Sequence, residues 1–203
     1  FDLQAAGVAV PKLVSAFGLS PSQLGVFLSS ATFGLVLGAL CGGVLADRFG
    51  RRNGLALSLI VFGLFSIGTA FSDTFEHLVA MRFLTGVGLG GALPNLIAIA
   101  AESVAPERRG RAVAIMYAGV PLGGALASLI ALLGLHDDWG SIFLVGGILP
   151  LLLALPLQLM MGPFRVTRDA RAPARRRDVL MAPGALPQTL LLWAAFFFGL
   201  IVV

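Results

Sequence analysis

Long apolar runs, separated by short polar breaks, occupy most of the chain. A helix crossing the roughly 30 Å hydrocarbon layer of a bilayer needs about 20 mostly apolar residues. Six runs of that order follow one another, at 1–17, 21–46, 53–71, 73–104, 107–135 and 139–161, and a seventh starts at 186. The chain opens on Phe1 and Asp2 already inside the first run, so that helix is expected to be shortened at its front. Ser20, Pro21 and Gln23 mark the start of the second helix: a hydroxyl cap, a proline suited to the first turn, and a glutamine placed to close a capping box. Asp73 and Glu76 repeat that spacing before the fourth. The pattern predicts an all-α membrane protein. Residues 1–161 form a six-helix bundle, 162–185 a basic linker too rich in Arg and Pro to pack as core, and 186–203 the start of helix 7.

Charge supports this division. Hydrophobic residues make up 58% of the 203 positions and charged residues 12%, about half the charged share of a soluble domain. The 26 glycines suit closely packed membrane helices. A net charge of +4 does not point to nucleic acid, because the arginines sit in short loops and form no continuous basic face. Of 14 Lys and Arg residues, 12 fall at three places: Arg48, Arg51 and Arg52; Arg108, Arg109 and Arg111; Arg165, Arg168, Arg171, Arg175, Arg176 and Arg177. These places follow the second, fourth and sixth runs. The opposite connections carry Asp73, Glu76, His77, His136, Asp137 and Asp138 and no Lys or Arg. The basic side is therefore expected to be cytoplasmic. A single cysteine, Cys41, leaves no internal disulfide to form.

Lys12 lies close enough to the outer end of its helix to snorkel to the interface. Asp2 and Arg82 lie within apolar runs, and ionisable groups there normally face a bundle interior or a watery cavity. Ala5, Ala6 and Ala9 share the face of Asp2, and Gly86 and Gly90 share that of Arg82. Such small residues either let backbones approach or leave room for a ligand. One reading is an Asp–Arg pair that locks two helices. The functional reading makes Asp2 a proton-titrating carboxylate and Arg82 a cationic anchor for an anionic substrate. A substrate competing for Arg82 then changes the proton affinity of Asp2.

Gly34, Gly38 and Gly42 in the second run, and Gly119, Gly123 and Gly124 in the fifth, have the spacing of close helix packing. Pro94 and Pro121 interrupt helical hydrogen bonding within spans. Asn95 is placed to satisfy a carbonyl freed by Pro94 or to reach a substrate. Neither a His-Glu-x-x-His zinc motif nor a Gly-x-Ser-x-Gly element occurs, so an intramembrane enzyme is disfavoured and no metal or cofactor is expected.

The loop Gly43-Val-Leu-Ala-Asp47-Arg48-Phe-Gly50-Arg51-Arg52 resembles the signature loop of the major facilitator superfamily. Arg82 to Asn95 resembles that superfamily's fourth-helix motif, and Gly119-Val-Pro121-Leu-Gly123-Gly124 its fifth-helix motif. Glu102, Pro106, Arg109 and Gly110 resemble the charged motif between helices 4 and 5. Within the superfamily, Phe1-Asp2-Leu-Gln-Ala-Ala-Gly7, Met116-Tyr-Ala-Gly-Val-Pro121 and Thr189-Leu-Leu-Leu-Trp193 are similar to the aromatic acid/proton symporters, above all to carriers of 3-(3-hydroxyphenyl)propionate. Two departures stand out: the second acid of the family's helix 1 pair has no position in this chain, and the linker lacks the usual Pro-Glu-Ser.

The resemblance implies a fragment of a twelve-helix transporter of the bacterial inner membrane, namely the N-terminal bundle, linker and start of helix 7. It implies proton as the coupling ion and a small aromatic acid as substrate. The lipid bilayer and the missing C-terminal helical half are the partners. Asp2 takes the proton-coupling role, and Asp2, Arg82 and Asn95 contact substrate. Gly43, Asp47, Arg48, Gly50, Arg51, Arg52, Glu102 and Arg109 form a cytoplasmic gate. Carriers of benzoate, hydroxybenzoate or muconate type, or a drug exporter of the same fold, remain the alternative.

Overall fold

The computed structural model describes residues 1–132 and 139–160. It contains α1 (Asp2–Phe17), α2 (Pro21–Phe49), α3 (Arg51–Ala70), α4 (Phe75–Glu102), a 3-10 turn (Pro106–Arg108), α5 (Arg109–Leu132) and α6 (Gly140–Met160). The linker 162–185, the start of helix 7, and His136, Asp137 and Asp138 lie outside the described residues. Helices α2 to α6 are each long and apolar enough to cross a membrane. With 16 residues, α1 is the shortest of these α-helices.

Local chemistry sets the helix ends. The Ser20 hydroxyl accepts from the Gln23 amide at 3.3 Å, and Gln23 Oε1 accepts from the Ser20 amide at 2.9 Å. This is the capping box the sequence predicts. The fourth helix differs: Thr74, in extended conformation, caps it by accepting from the His77 amide at 3.2 Å. A cap must directly precede the first helical residue, so the Asp73–Glu76 spacing falls one residue out of register. α1 ends on Gly18 at φ 61°, a left-handed cap whose N–H reaches the Val14 carbonyl at 2.9 Å. α2 runs to Phe49, three residues past the expected 46, because Asp47 and Arg48 stay helical with exposed side chains. Gly50 alone joins it to α3, at φ 88° and ψ 148°, a conformation essentially confined to glycine.

α4 lies at the centre, packed most extensively on α2 and then on α3; α3 in turn packs on α6, and α1 on α5. The α2–α4 contact interlocks glycines. A Cβ on Gly34 or Gly38 would collide with the carbonyls of Phe83 or Val87, and one on Gly86 or Gly90 with those of Ala31 or Leu35. Gly42 completes the row against Gly91. Without a hydrophobic drive between helices in lipid, such close backbone approach supplies the contact. The stripe predicted in α5 is only partly used: Gly123 meets Phe1 and Gly124 meets Gln4, while Gly119 faces open space.

The buried core joins Ala5, Ala6, Ala9 and Leu13 of α1 to Phe27, Leu78, Ile142 and Phe143 of the neighbouring helices. The outer faces are apolar as well, with Phe33, Leu40, Leu122 and Leu155 all exposed. A helix that is hydrophobic all round belongs in a buried or lipid setting.

Candidate functional site

The first helix and the fourth are pinned together by charge. Arg82 is 1% exposed and Asp2 6%. Arg82 Nη1 donates to Asp2 Oδ1 at 2.8 Å and to Oδ2 at 3.0 Å. One nitrogen thus holds both oxygens, and the guanidinium does not present its two-pronged edge. Its Nε–H is buried without a hydrogen-bond partner among the described residues. The rings of Phe27 and Phe143 approach the guanidinium carbon at 5.8 and 5.3 Å. Four helices therefore build the site: α1 gives the carboxylate, α4 the cation, and α2 and α6 one ring each. Removing two charges from water is costly, and only close pairing offsets it.

The small residues predicted to flank the pair serve packing. Ala5, Ala6 and Ala9 are buried in the core, and Gly86 and Gly90 press on the α2 backbone. The sequence does not set Phe27 and Phe143 apart, since its 15 phenylalanines mostly have packing or lipid roles. The available signal was position. Phe27 lies six residues into α2 and Phe143 three into α6, near the same end of the bundle as Arg82, seven into α4.

Asn95 stands apart. Thirteen residues after Arg82, it is about 20 Å further along α4 at 1.5 Å per residue. It packs at the start of α3, where a Cβ on Gly54 would lie 3.2 Å from its Nδ2. Nδ2 donates to the Gly91 carbonyl at 2.9 Å. Pro94 instead frees the Gly90 carbonyl, four residues before it, so Asn95 does not replace that lost bond. Its Oδ1 is buried without a partner among the described residues.

At the basic end, the predicted network is present in one contact. Arg51 Nε lies 3.0 Å from Glu102 Oε1, tying α3 to α4 with both side chains partly exposed. The approach lacks hydrogen-bond alignment. Asp47, Arg48 and Arg109 are exposed and make no ion pair among the described residues. Arg52 Nε is buried without a hydrogen-bond partner among the described residues, Gly50 forms the turn, and a Cβ on Gly43 would meet open space. An open groove of about 760 Å³ runs between α2 and α4, lined by Val26, Ser29, Phe33, Phe75, Val79 and Phe83. It does not include the Asp2–Arg82 pair. Among the described residues no three His, Cys, Asp or Glu side chains gather to hold a metal.

A bundle of lipid-compatible helices with one sealed carboxylate–guanidinium pair defines a multi-pass integral membrane protein whose intramembrane charges are its most distinctive chemistry. The chain belongs to the Major Facilitator Superfamily, whose sequence profile matches residues 1–203. It is 46% identical over 202 residues to the 3-(3-hydroxy-phenyl)propionate transporter of Escherichia coli (strain K12), covering 100% of this chain and 50% of that one. It is 36% identical over 238 residues to the 4-hydroxybenzoate transporter PcaK of Pseudomonas aeruginosa, covering 100% and 53%. The chain thus spans about half the length of these curated relatives. Among solved structures, the inward open xylose transporter XylE from E. coli matches with a TM-score of 0.71 at 24% identity, over 80% of this chain and 44% of that one, which bears on the fold alone. The superfamily resemblance read from the loop and helix motifs is borne out.

Proposed function

We propose that the chain forms one helical half of a secondary transporter that couples proton movement to uptake of a small aromatic carboxylate. The buried Asp2–Arg82 pair carries this reading. Arg82 is a cation held inside the membrane span by a single carboxylate, and a substrate carboxylate has the charge and shape to replace it. Displaced from Arg82, Asp2 takes up a proton, because a lone carboxylate in that setting is poorly solvated. Substrate and proton are then bound together, and the contact between α1 and α4 loosens. Alternating access follows from moving this bundle against a second helical half, with substrate between them near the midplane. The Arg51–Glu102 contact at the basic end is one element of the cytoplasmic gate, with Asp47, Arg48, Arg52 and Arg109 available to a partner in the other state. The basic loops face the cytoplasm, and the membrane is the bacterial inner membrane.

Relatives named for 3-(3-hydroxy-phenyl)propionate, 4-hydroxybenzoate and, in Pseudomonas putida, gallate support an aromatic acid as substrate. The 46% identity favours a phenylpropanoid acid; a hydroxybenzoate is the second reading. Competition against uptake of labelled 3-hydroxyphenylpropionate by the full-length protein tests the choice. Stronger inhibition by 3-hydroxyphenylpropionate than by 4-hydroxybenzoate or gallate is expected. The reverse order moves the substrate to the hydroxybenzoate class, and no uptake of any aromatic acid contradicts the proposal.

A further inference from the structure

When Asp2 is neutral and no substrate carboxylate is bound, the Arg82 guanidinium needs another support. Two rings stand ready. Phe27 and Phe143 are both fully buried, and they approach the guanidinium from different helices at 5.8 and 5.3 Å. Phe143 is fixed in turn. Trp139 meets it edge-on at 6.3 Å and Phe17 meets Trp139 edge-on at 5.4 Å, while Ser66 of α3 donates to the Phe143 carbonyl at 3.0 Å. Among the described residues the buried Nε–H has no hydrogen-bond partner.

We propose that Phe27 and Phe143 are positioning residues that clamp Arg82 as a cation and thereby set how readily Asp2 is protonated. This rests on the proton-coupling reading above. A ring face attracts a cation through its quadrupole, most strongly where water is excluded. With Asp2 ionised, the carboxylate already neutralises the guanidinium and the rings add little. With Asp2 protonated and no substrate carboxylate at Arg82, the guanidinium is a bare charge and the rings become its main support. They therefore favour the protonated state selectively.

Among the described residues the other charged side chains sit at other levels of their helices. Lys12 is ten residues along α1, and Glu76 is six residues before Arg82 on α4. Asp47 and Arg48 of α2, Arg51 and Arg52 of α3, and Arg109 and Arg111 of α5 lie at the opposite helix ends, and α6 carries no charge. Arg82 is the ion-pair partner of Asp2 among the described residues.

Progressive fluorination of phenylalanine weakens the quadrupole with little change of shape, so the full-length protein with mono-, di- and trifluorophenylalanine at position 143, and separately at 27, provides the test. The pH midpoint of proton-dependent uptake is expected to fall stepwise, by about half a unit or more for the trifluoro form. An unchanged midpoint across both series overturns the clamp. Thermal unfolding of the purified protein gives a readout that does not depend on transport. Trifluoro substitution is expected to lower the midpoint temperature more in an Asp2→Asn background than with Asp2 present. Equal losses in the two backgrounds overturn the clamp even if the protein proves not to use protons, whereas unequal losses with pH-independent uptake keep the clamp and remove the coupling.

Discussion

Both carboxylate oxygens of Asp2 converge on one nitrogen of Arg82, at 2.8 and 3.0 Å, inside a bundle that leaves the arginine 1% exposed. The pair spans residues 80 apart in sequence and joins α1 to α4. A purely structural lock is served as well by a two-pronged arrangement, in which Nε and one Nη each face an oxygen. The observed geometry engages one nitrogen and leaves Nε–H uncommitted.

Arg82→Lys separates charge from shape. Lysine keeps the positive charge but loses the planar fork and the stacking between rings. The apparent affinity for an aromatic carboxylate is expected to fall by on the order of tenfold or more, close to the loss of one charge-assisted hydrogen bond. Initial-rate uptake over a range of substrate concentrations measures it. Full affinity in the lysine variant argues against carboxylate recognition by the guanidinium.

The glycine interlock between α2 and α4 predicts a sharp positional contrast. Gly38→Val drives a side chain into the Val87 backbone, whereas Gly25→Ala, on the same helix, meets open space. Overpacking of this kind costs about 1–3 kcal/mol or more, while a substitution away from any contact stays within about 0.5 kcal/mol. Thermal unfolding in detergent is expected to show a clear loss for the first and almost none for the second.

Much of this arrangement is legible in the sequence, and the exceptions have physical causes. Asp2 and Arg82 stand out because charge inside an apolar run is costly, and the fold brings them together. The Ser20 cap is legible because its partners lie three residues apart. The rings beside Arg82 are not, since an apolar period marks which face is buried but not what a given ring touches. Asn95 shares its helix with Arg82, although thirteen residues of rise place it near the other end. The charges at the basic end are legible as a cluster, but their pairing depends on how the side chains turn, and only Arg51 and Glu102 meet among them within the described residues.

That contact predicts a small stability effect and a larger kinetic one. Both side chains are partly exposed, so Glu102→Gln is expected to cost under about 1 kcal/mol. If the contact biases one state of the gate, uptake rates change more than stability does. The charge-reversed pair Arg51→Glu with Glu102→Arg should then recover part of the lost rate. A double-mutant cycle on uptake rate and on unfolding measures both. Purely additive rates mean that the two residues act independently.

In the proposed mechanism Asp2 links proton movement to substrate through Arg82. Its most direct test is accumulation of labelled 3-hydroxyphenylpropionate in vesicles holding the full-length protein, with and without an imposed proton gradient, for the native chain and Asp2→Asn. The native protein is expected to accumulate substrate only with the gradient. Asp2→Asn is expected to lose that accumulation while still exchanging internal for external substrate. Gradient-driven accumulation by Asp2→Asn at the native level would contradict the account.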